Sequence, residues 1–103
     1  MSNRVPRPPA PTPLLAVWRL GDDAYGATVR DEIAARTGAP VAQGAIYTTL
    51  VRLEKKGFLR SRLSDPTPVR GGKAKRIFLT TPEGIAGVLA ARHLMDRLWD
   101  GLP

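Results

Sequence analysis

The chain has 103 residues and a formal net charge of +7, from 16 basic and nine acidic side chains. This length suits one domain with short arms, and the positive excess favours a nucleic acid or an anionic membrane surface as partner. The sequence contains no cysteine, which excludes a disulfide framework and a thiolate metal site. The apolar stretch PLLAV is too short for a signal sequence or a membrane span. We therefore expect a cytoplasmic protein without a membrane span. We also expect no membrane among its partners.

The positive charge is concentrated in the central part of the chain. Residues 1–39 carry five basic and four acidic side chains, residues 40–80 carry nine and two, and residues 81–103 carry two and three. A charge that served only solubility would not be confined to one segment. The central segment is therefore predicted to face a polyanion.

The first predicted element is a disordered, proline-rich basic arm over residues 1–13. It contains five prolines, which lack a backbone donor and oppose helix formation. Its two arginines, Arg4 and Arg7, could touch phosphate, and the alternative is an inert tail.

Two short helices are predicted next, over residues 14–20 and about 24–36. Asp22 or Asp23 is expected to cap the second helix, because a short carboxylate accepts hydrogen bonds from the free amides of a first turn. Gly38 is expected to end it in the left-handed conformation.

The third helix, predicted over residues 44–56, has two dissimilar faces. Ile46, Leu50 and Leu53 recur at the spacing of a buried stripe, while the opposite face begins with small or hydroxyl-bearing residues and ends in basic ones. The major groove of DNA admits a helix whose leading side chains are small or bond base edges, and basic side chains further on reach phosphate or guanine. The residues of this helix expected to contact DNA are Gly44, Ala45, Tyr47, Thr48, Arg52 and Lys55.

After this helix the apolar period changes from 3.6 to about 2, which predicts a β-hairpin wing over residues 60–80. Leu59 and Leu63 are expected on the inward face of its first strand, and Ile77 and Leu79 on that of the second. Basic side chains in and beside the turn-rich loop are predicted to contact phosphate: Arg70, Lys73, Lys75 and Arg76.

The last helix is predicted over residues 82–99, with Thr81 as its cap and Pro82 in its first turn. Its apolar residues fall on two sides, so one side needs cover by its own domain and the other by a second chain. The pattern therefore divides the chain into a winged helix over residues 14–81 and a dimerisation segment over residues 82–103. The homodimer interface is expected to contain Ile85, Leu89, Ala91, Leu94, Met95, Leu98 and Trp99.

Three helices, a hairpin and a further helix, in this order, predict a mostly helical α+β fold of the winged helix-turn-helix type. In that fold the third helix enters the major groove and the hairpin touches the flanking backbone. The alternative is a basic winged helix that binds RNA or a protein without operator specificity. The last helix favours a homodimer on inverted-repeat DNA, because a monomer on RNA would need only one apolar side.

Three stretches of the chain resemble the PadR family of bacterial transcriptional regulators: GDDAYGATVRDEI, GAIYTTLVRLEKKGFL and RGGKAKRIFLTTPEG. The resemblance covers about residues 14–99 and implies a dimeric repressor whose last helix pairs the two subunits. The DNA contacts that it implies are Tyr25, Gly44, Ala45, Tyr47, Thr48, Arg52, Lys73 and Arg76.

The sequence departs from the family pattern at two points. Ala42 stands where many members have a serine before the third helix, which removes a side-chain cap worth about 1 kcal/mol. The wing ends in RIFLT, where members commonly have adjacent aromatic residues.

The resemblance also raises the question of a ligand, since some members respond to phenolic acids or flat cationic drugs. A small aromatic effector would then stack against Trp18, Met95 and Trp99. The alternative is that these side chains only pack in the core and the dimer interface.

No enzymatic site is indicated by the sequence. His93 is the only histidine, and its spacing to Asp96 and Asp100 is common on solvated helices. The stretch RGGKAK lacks the spacing and the strand-to-helix context of a phosphate-binding loop. We therefore expect no catalysis, no cofactor and no metal.

Overall fold

The computed structural model describes residues 11–64 and 74–103, and its elements follow the predicted order. The mostly helical α+β winged-helix architecture is confirmed, and the last helix has the predicted bounds. The helices are α1 (Pro11–Leu20), α2 (Gly26–Thr37), α3 (Gln43–Lys55) and α4 (Pro82–Trp99), and the strands are β1 (Leu59–Leu63) and β2 (Arg76–Thr80).

α1 begins three residues earlier than the sequence predicted. Pro11 and Pro13 lie in its first turn, where the missing backbone N–H of proline would have no partner within the helix. Pro13 is buried, so the boundary predicted at residue 13 for the disordered arm is wrong. The rest of that arm, with Arg4 and Arg7, lies outside the described residues.

The predicted cap of α2 is also wrong. Asp22 and Asp23 belong to a 3₁₀ turn, and the N-cap residue is Tyr25 in extended conformation. The Thr28 hydroxyl accepts a hydrogen bond from the Tyr25 amide at 3.0 Å and donates to the Asp23 carbonyl at 2.5 Å. Thr28 thus ties the preceding turn to the start of α2. At the other end, Gly38 adopts the expected left-handed conformation, with φ of 74°.

β1 and β2 pair antiparallel, with Leu59 opposite Thr80 and Leu63 opposite Arg76. Leu59 and Ile77 are buried as predicted, but Leu63 is 62% exposed. Leu63 lies at the end of the ladder farthest from α3 and α4, which explains its exposure.

Strict alternation fails in β2, where Phe78 is fully buried and Leu79 is only half-buried. The Phe78 amide donates to the Ala24 carbonyl at 2.8 Å, so the chain before α2 runs beside β2. α1, α4 and the 3₁₀ turn also contact β2. Because β2 is covered from several directions, neighbouring residues are buried and the single inward face that the sequence predicted is wrong for this strand. The core around Phe78 contains Leu14, Val17, Val29, Ile33, Ile46, Leu50, Leu53, Leu59 and Val88.

The predicted cap of α4 is confirmed. The Thr81 hydroxyl accepts from the Gly84 amide at 3.0 Å and donates to the Gly57 carbonyl at 2.7 Å. A Cβ at Gly84 would overlap the Phe58 carbonyl oxygen, so only glycine permits this approach of α4 to the loop before β1. The start of α4 is therefore docked against the domain.

The domain buries less of α4 toward the C-terminal end of the helix. Val88 is buried and Ala91 is half-buried, whereas Leu94 and Leu98 are exposed. Burial of the apolar residues of α4 therefore depends on their position along the helix. The sequence had predicted instead that it depends on the side of the helix. None of the helices within residues 11–64 and 74–103 combines the length and apolar character needed to cross a membrane.

Candidate nucleic-acid interface

One face of α3 is exposed and carries every residue that the sequence assigned to DNA contact on this helix. Ile46, Leu50 and Leu53 are buried and hold the helix against the core. No side-chain hydrogen bond caps α3 at Ala42, as the departure from the family pattern predicted. The exposed residues on this helix include Gly44, Ala45, Tyr47, Thr48, Arg52 and Lys55.

Tyr47 stands at the edge of this face and is partly anchored. Its ring meets the buried Phe78 ring edge-on, with centroids 6.3 Å apart and planes at 77°. Even so, 44% of its surface is exposed. An anchored ring with an exposed portion can carry a hydroxyl to a fixed position on a ligand, because little side-chain freedom is left to lose.

The Lys75 side chain, at the base of the wing, contacts Tyr25 at the start of α2. The Lys75 Nζ atom lies 3.2 Å from the Tyr25 hydroxyl oxygen and 4.3 Å from the centroid of the Tyr25 ring. Such a cation–π contact contributes about 0.5–1 kcal/mol at an exposed site. The structure thus brings together two predicted contact residues that are 50 positions apart in the sequence.

A second contact connects the wing to α3. Arg76 Nη1 donates to the Ser61 hydroxyl at 2.8 Å, and that hydroxyl donates to the Glu54 carboxylate at 2.5 Å. Arg76 is exposed, but its guanidinium is oriented by the hydrogen bond to Ser61, which Glu54 holds in turn. The other two basic residues predicted in the wing, Arg70 and Lys73, lie outside the described residues.

Sequence reasoning missed one polar contact at the start of α3. Gln43 is exposed and is the first residue of the helix, and its Oε1 atom accepts a hydrogen bond from Arg30 Nη1 at 3.0 Å. The only available signal was the position of the chain's single glutamine directly before GAIY.

A separate set of exposed apolar side chains lies on α4 from Leu89 onward. Of the residues predicted for the dimer interface, Ile85 and Ala91 are half-buried against the chain's own domain. The others are 52–63% exposed: Leu89, Leu94, Met95, Leu98 and Trp99.

An open groove of about 560 Å³ lies between α1 and α2. Leu15 and Trp18 line one wall and Ile33 the other, and an ion pair of Arg36 with Glu32, at 2.6 Å, lies at the same groove. Met95 and Trp99 do not line this groove. Within residues 11–64 and 74–103, this groove therefore brings Trp18 together with neither of the two α4 residues that were predicted to bind a ligand with it.

The single histidine stays outside any cluster of metal-ligating groups. His93 is exposed on α4, and the nearby Asp96 lies 4.0 Å from Arg92. Within residues 11–64 and 74–103, no three histidine, cysteine or acidic side chains lie close enough to hold a metal ion.

A model of the transcriptional regulator PadR-like family matches residues 14–88. The chain belongs to this family. It is 34% identical over 77 residues to Transcriptional regulator Rv3488 of Mycobacterium tuberculosis, a match covering 75% of this chain and 67% of that protein. The resemblance given by the sequence is thereby confirmed, and the role of the PadR-like family, transcriptional regulation, is not a catalytic one.

Solved structures of PadR-like proteins share the fold. A PadR family regulator from Eggerthella lenta DSM 2243 has a TM-score of 0.68 and 26% identity, covering 87% of this chain and 76% of that one. A PadR-like transcription factor from Bacteroides fragilis has a TM-score of 0.73 and 16% identity, covering 86% and 81%. The PadR-like match runs from Leu14 in α1 to Val88, the seventh of the 18 residues of α4, so the exposed apolar residues from Leu89 onward lie beyond it.

Proposed function

We propose that this PadR-like regulator binds double-stranded DNA sequence-specifically, as a homodimer that represses transcription from an inverted-repeat operator. The exposed face of α3 is the observation that carries this proposal, because small and hydroxyl-bearing residues come first and basic residues follow. α3 enters the major groove and the wing lies on the adjacent backbone.

The shape of α3 suits the groove. The major groove is about 12 Å wide, so a helix approaches base edges closely only where its leading side chains are small. Gly44 and Ala45 meet this condition, and Thr48, one turn on, offers a hydroxyl and a methyl group. Arg52 and Lys55 follow within two further turns, where they reach phosphate or a guanine edge.

Backbone contacts come from groups at the edges of this face. Tyr47 donates a hydrogen bond from its hydroxyl to a phosphate oxygen, and Lys75 and Arg76 neutralise phosphates beside the groove. The fixed positions of the Lys75 ammonium over Tyr25 and of Arg76 on Ser61 support this role. Such contacts fix register and orientation on the duplex but do not read its sequence.

The dimer forms through α4. Gly84, Val88, Ala91, Met95 and Leu98 recur at i, i+4, i+7, i+11 and i+14, which makes one continuous helical stripe. Within the described residues the domain covers only the first three, so a second copy covers the remainder. A two-fold dimer presents two α3 helices, which read an inverted repeat whose half-sites are about 10 or 20 base pairs apart.

The competing function is binding of RNA or a protein by a monomer, and membership of a transcriptional regulator family disfavours it. A small aromatic effector at Trp18, Met95 and Trp99 is compatible with the proposal only if the second chain helps to form its site. In the described part of the chain, the groove beside Trp18 includes neither Met95 nor Trp99.

Binding by the purified protein to a pool of random DNA duplexes and to structured RNA of equal length tests the proposal. We expect enrichment of duplexes with an inverted-repeat motif, and weak, salt-sensitive binding to RNA without any motif. A preference for RNA, or duplex binding without an enriched motif, would contradict the proposal.

A further inference from the structure

The polar contact at the start of α3 orients a side chain suited to base recognition. The Gln43 amide accepts from Arg30 Nη1 at 3.0 Å through its oxygen. Arg30 is itself held by Asp31, whose Oδ1 lies 3.1 Å from both its Nε and its Nη2 atoms. A guanidinium only donates hydrogen bonds, so Arg30 fixes which end of the Gln43 amide is the oxygen.

The Gln43 amide keeps unused hydrogen-bonding capacity in this arrangement. A carbonyl oxygen accepts two hydrogen bonds, and Arg30 occupies one of them. The amide nitrogen keeps two donors. A glutamine pairs with adenine through one acceptor and one donor: its oxygen accepts from N6 and its nitrogen donates to N7. Both capacities remain unused here.

The position of the amide is consistent with the same role. Gln43 is exposed at the first residue of α3, the end that the proposed function places closest to the base edges. A Cβ built at Gly26 would lie 3.7 Å from Gln43 Nε2 and 4.0 Å from the Tyr47 ring, so the start of α2 adjoins both residues. Within the described residues Gln43 carries the single side-chain amide, because the other amide residue of the chain is Asn3.

We propose that Gln43, oriented by Arg30, reads an adenine in each half-site, which makes Gln43 a specificity-determining residue and Arg30 a positioning residue. The inference rests on the proposed DNA-binding function and deepens it. In the alternative arrangement the roles are exchanged: Arg30 contacts a phosphate, and Gln43 only positions the Arg30 side chain. The two arrangements differ in whether the preferred sequence depends on Gln43.

Selection from a random duplex pool, with wild type and variants in parallel, separates these arrangements. Gln43→Ala is expected to remove the adenine preference at one position of each half-site, a discrimination of about 5- to 150-fold at that base, and to leave other positions unchanged. Gln43→Glu is expected to move the preference there toward cytosine, whose N4 amine donates to a carboxylate. Because glutamate at position 43 can still accept a hydrogen bond from Arg30, this second variant tests base recognition while Arg30 keeps a partner there.

The positioning role is tested by Arg30→Met, with Arg36→Met as the charge-matched control on the same helix. Arg30→Met is expected to weaken the adenine preference at the position that Gln43→Ala affects, and Arg36→Met to leave the motif unchanged. An equal loss of affinity on every duplex for Arg30→Met, with the motif intact, would identify a phosphate contact and overturn the positioning role.

The adenine-reading role is overturned if both Gln43 variants select the wild-type motif. Circular dichroism of each variant establishes that it is folded before selection. Failure of the proposed function looks different, because the wild-type protein itself would then enrich no two-fold symmetric motif.

Discussion

Replacing Leu94 and Leu98 of α4 by glutamate should dissociate the proposed dimer into monomers. These residues are 57% and 63% exposed in one chain and are not part of the hydrophobic core. The substitutions should therefore leave the fold of each chain intact. Their effect should appear in association and, because two α3 helices are no longer held together, in DNA binding.

The magnitude follows from the area that the dimer has to cover. Full burial of a leucine side chain contributes about 1.5–3 kcal/mol, and about 60% of each of these two is still to be buried. Four such side chains per dimer contribute about 4–7 kcal/mol. Loss of this contribution raises the dissociation constant of the dimer by about a thousandfold or more. The introduced carboxylates would add a desolvation cost to this figure.

Sedimentation equilibrium at micromolar to tens of micromolar concentration measures the change. The control is Ala86→Glu with Ala90→Glu, which adds the same two charges with the same four-residue spacing at exposed positions of α4. We expect a monomer for the leucine variant and a dimer for the control. A wild-type monomer at tens of micromolar, or a leucine variant that dimerises as tightly as wild type, would refute the reasoning.

Three further predictions concern the DNA interface and the base of α4. Tyr47→Phe should weaken binding by about 1 kcal/mol per lost hydrogen bond on specific and random duplexes alike, as measured by fluorescence anisotropy, whereas a loss confined to one sequence would make Tyr47 a base reader. Lys75→Met should reduce the slope of log K against log salt by about one unit per lost phosphate contact. The control Arg97→Met should keep the wild-type slope, and the same slope for Lys75→Met would exclude such a contact. Gly84→Ala should destabilise the fold by about 1–3 kcal/mol because its Cβ meets the Phe58 carbonyl, while Gly87→Ala, whose Cβ is in ordinary contact at 4.0 Å, should stabilise it by up to about 1 kcal/mol. Urea unfolding of the two glycine variants measures both changes, and shifts of the same sign would contradict this account of the docking of α4.

The order of elements could be predicted from the sequence because each element has a clear local signal. The stripe of α3 has helical spacing, and Thr81 with Pro82 marks the start of α4 to the residue. The strand faces could not be predicted in the same way. Alternation assumes that one face of a hairpin is buried, whereas β2 has Phe78 buried beside Ile77 because α1, α4 and the chain before α2 surround it.

The candidate interface could likewise be predicted from the sequence only in part. Exposure of Tyr47 and Thr48 follows from the helical period, which the sequence supplies directly. The contacts of Lys75 with Tyr25 and of Arg30 with Gln43 join residues 50 and 13 positions apart. These contacts depend on how the wing and α2 approach each other and α3, and no local pattern encodes that approach.

The central claim, that α3 reads the operator, is tested most directly by selecting duplexes from a random pool with wild type and with Thr48→Ala. Thr48 is exposed on α3 and lies opposite the stripe formed by Ile46, Leu50 and Leu53. We expect wild type to enrich an inverted repeat with half-sites about 10 or 20 base pairs apart. Thr48→Ala should change the preferred base at one position of each half-site, by up to about 1–3 kcal/mol. An unchanged motif in the variant, or a wild-type motif without two-fold symmetry, would contradict the claim.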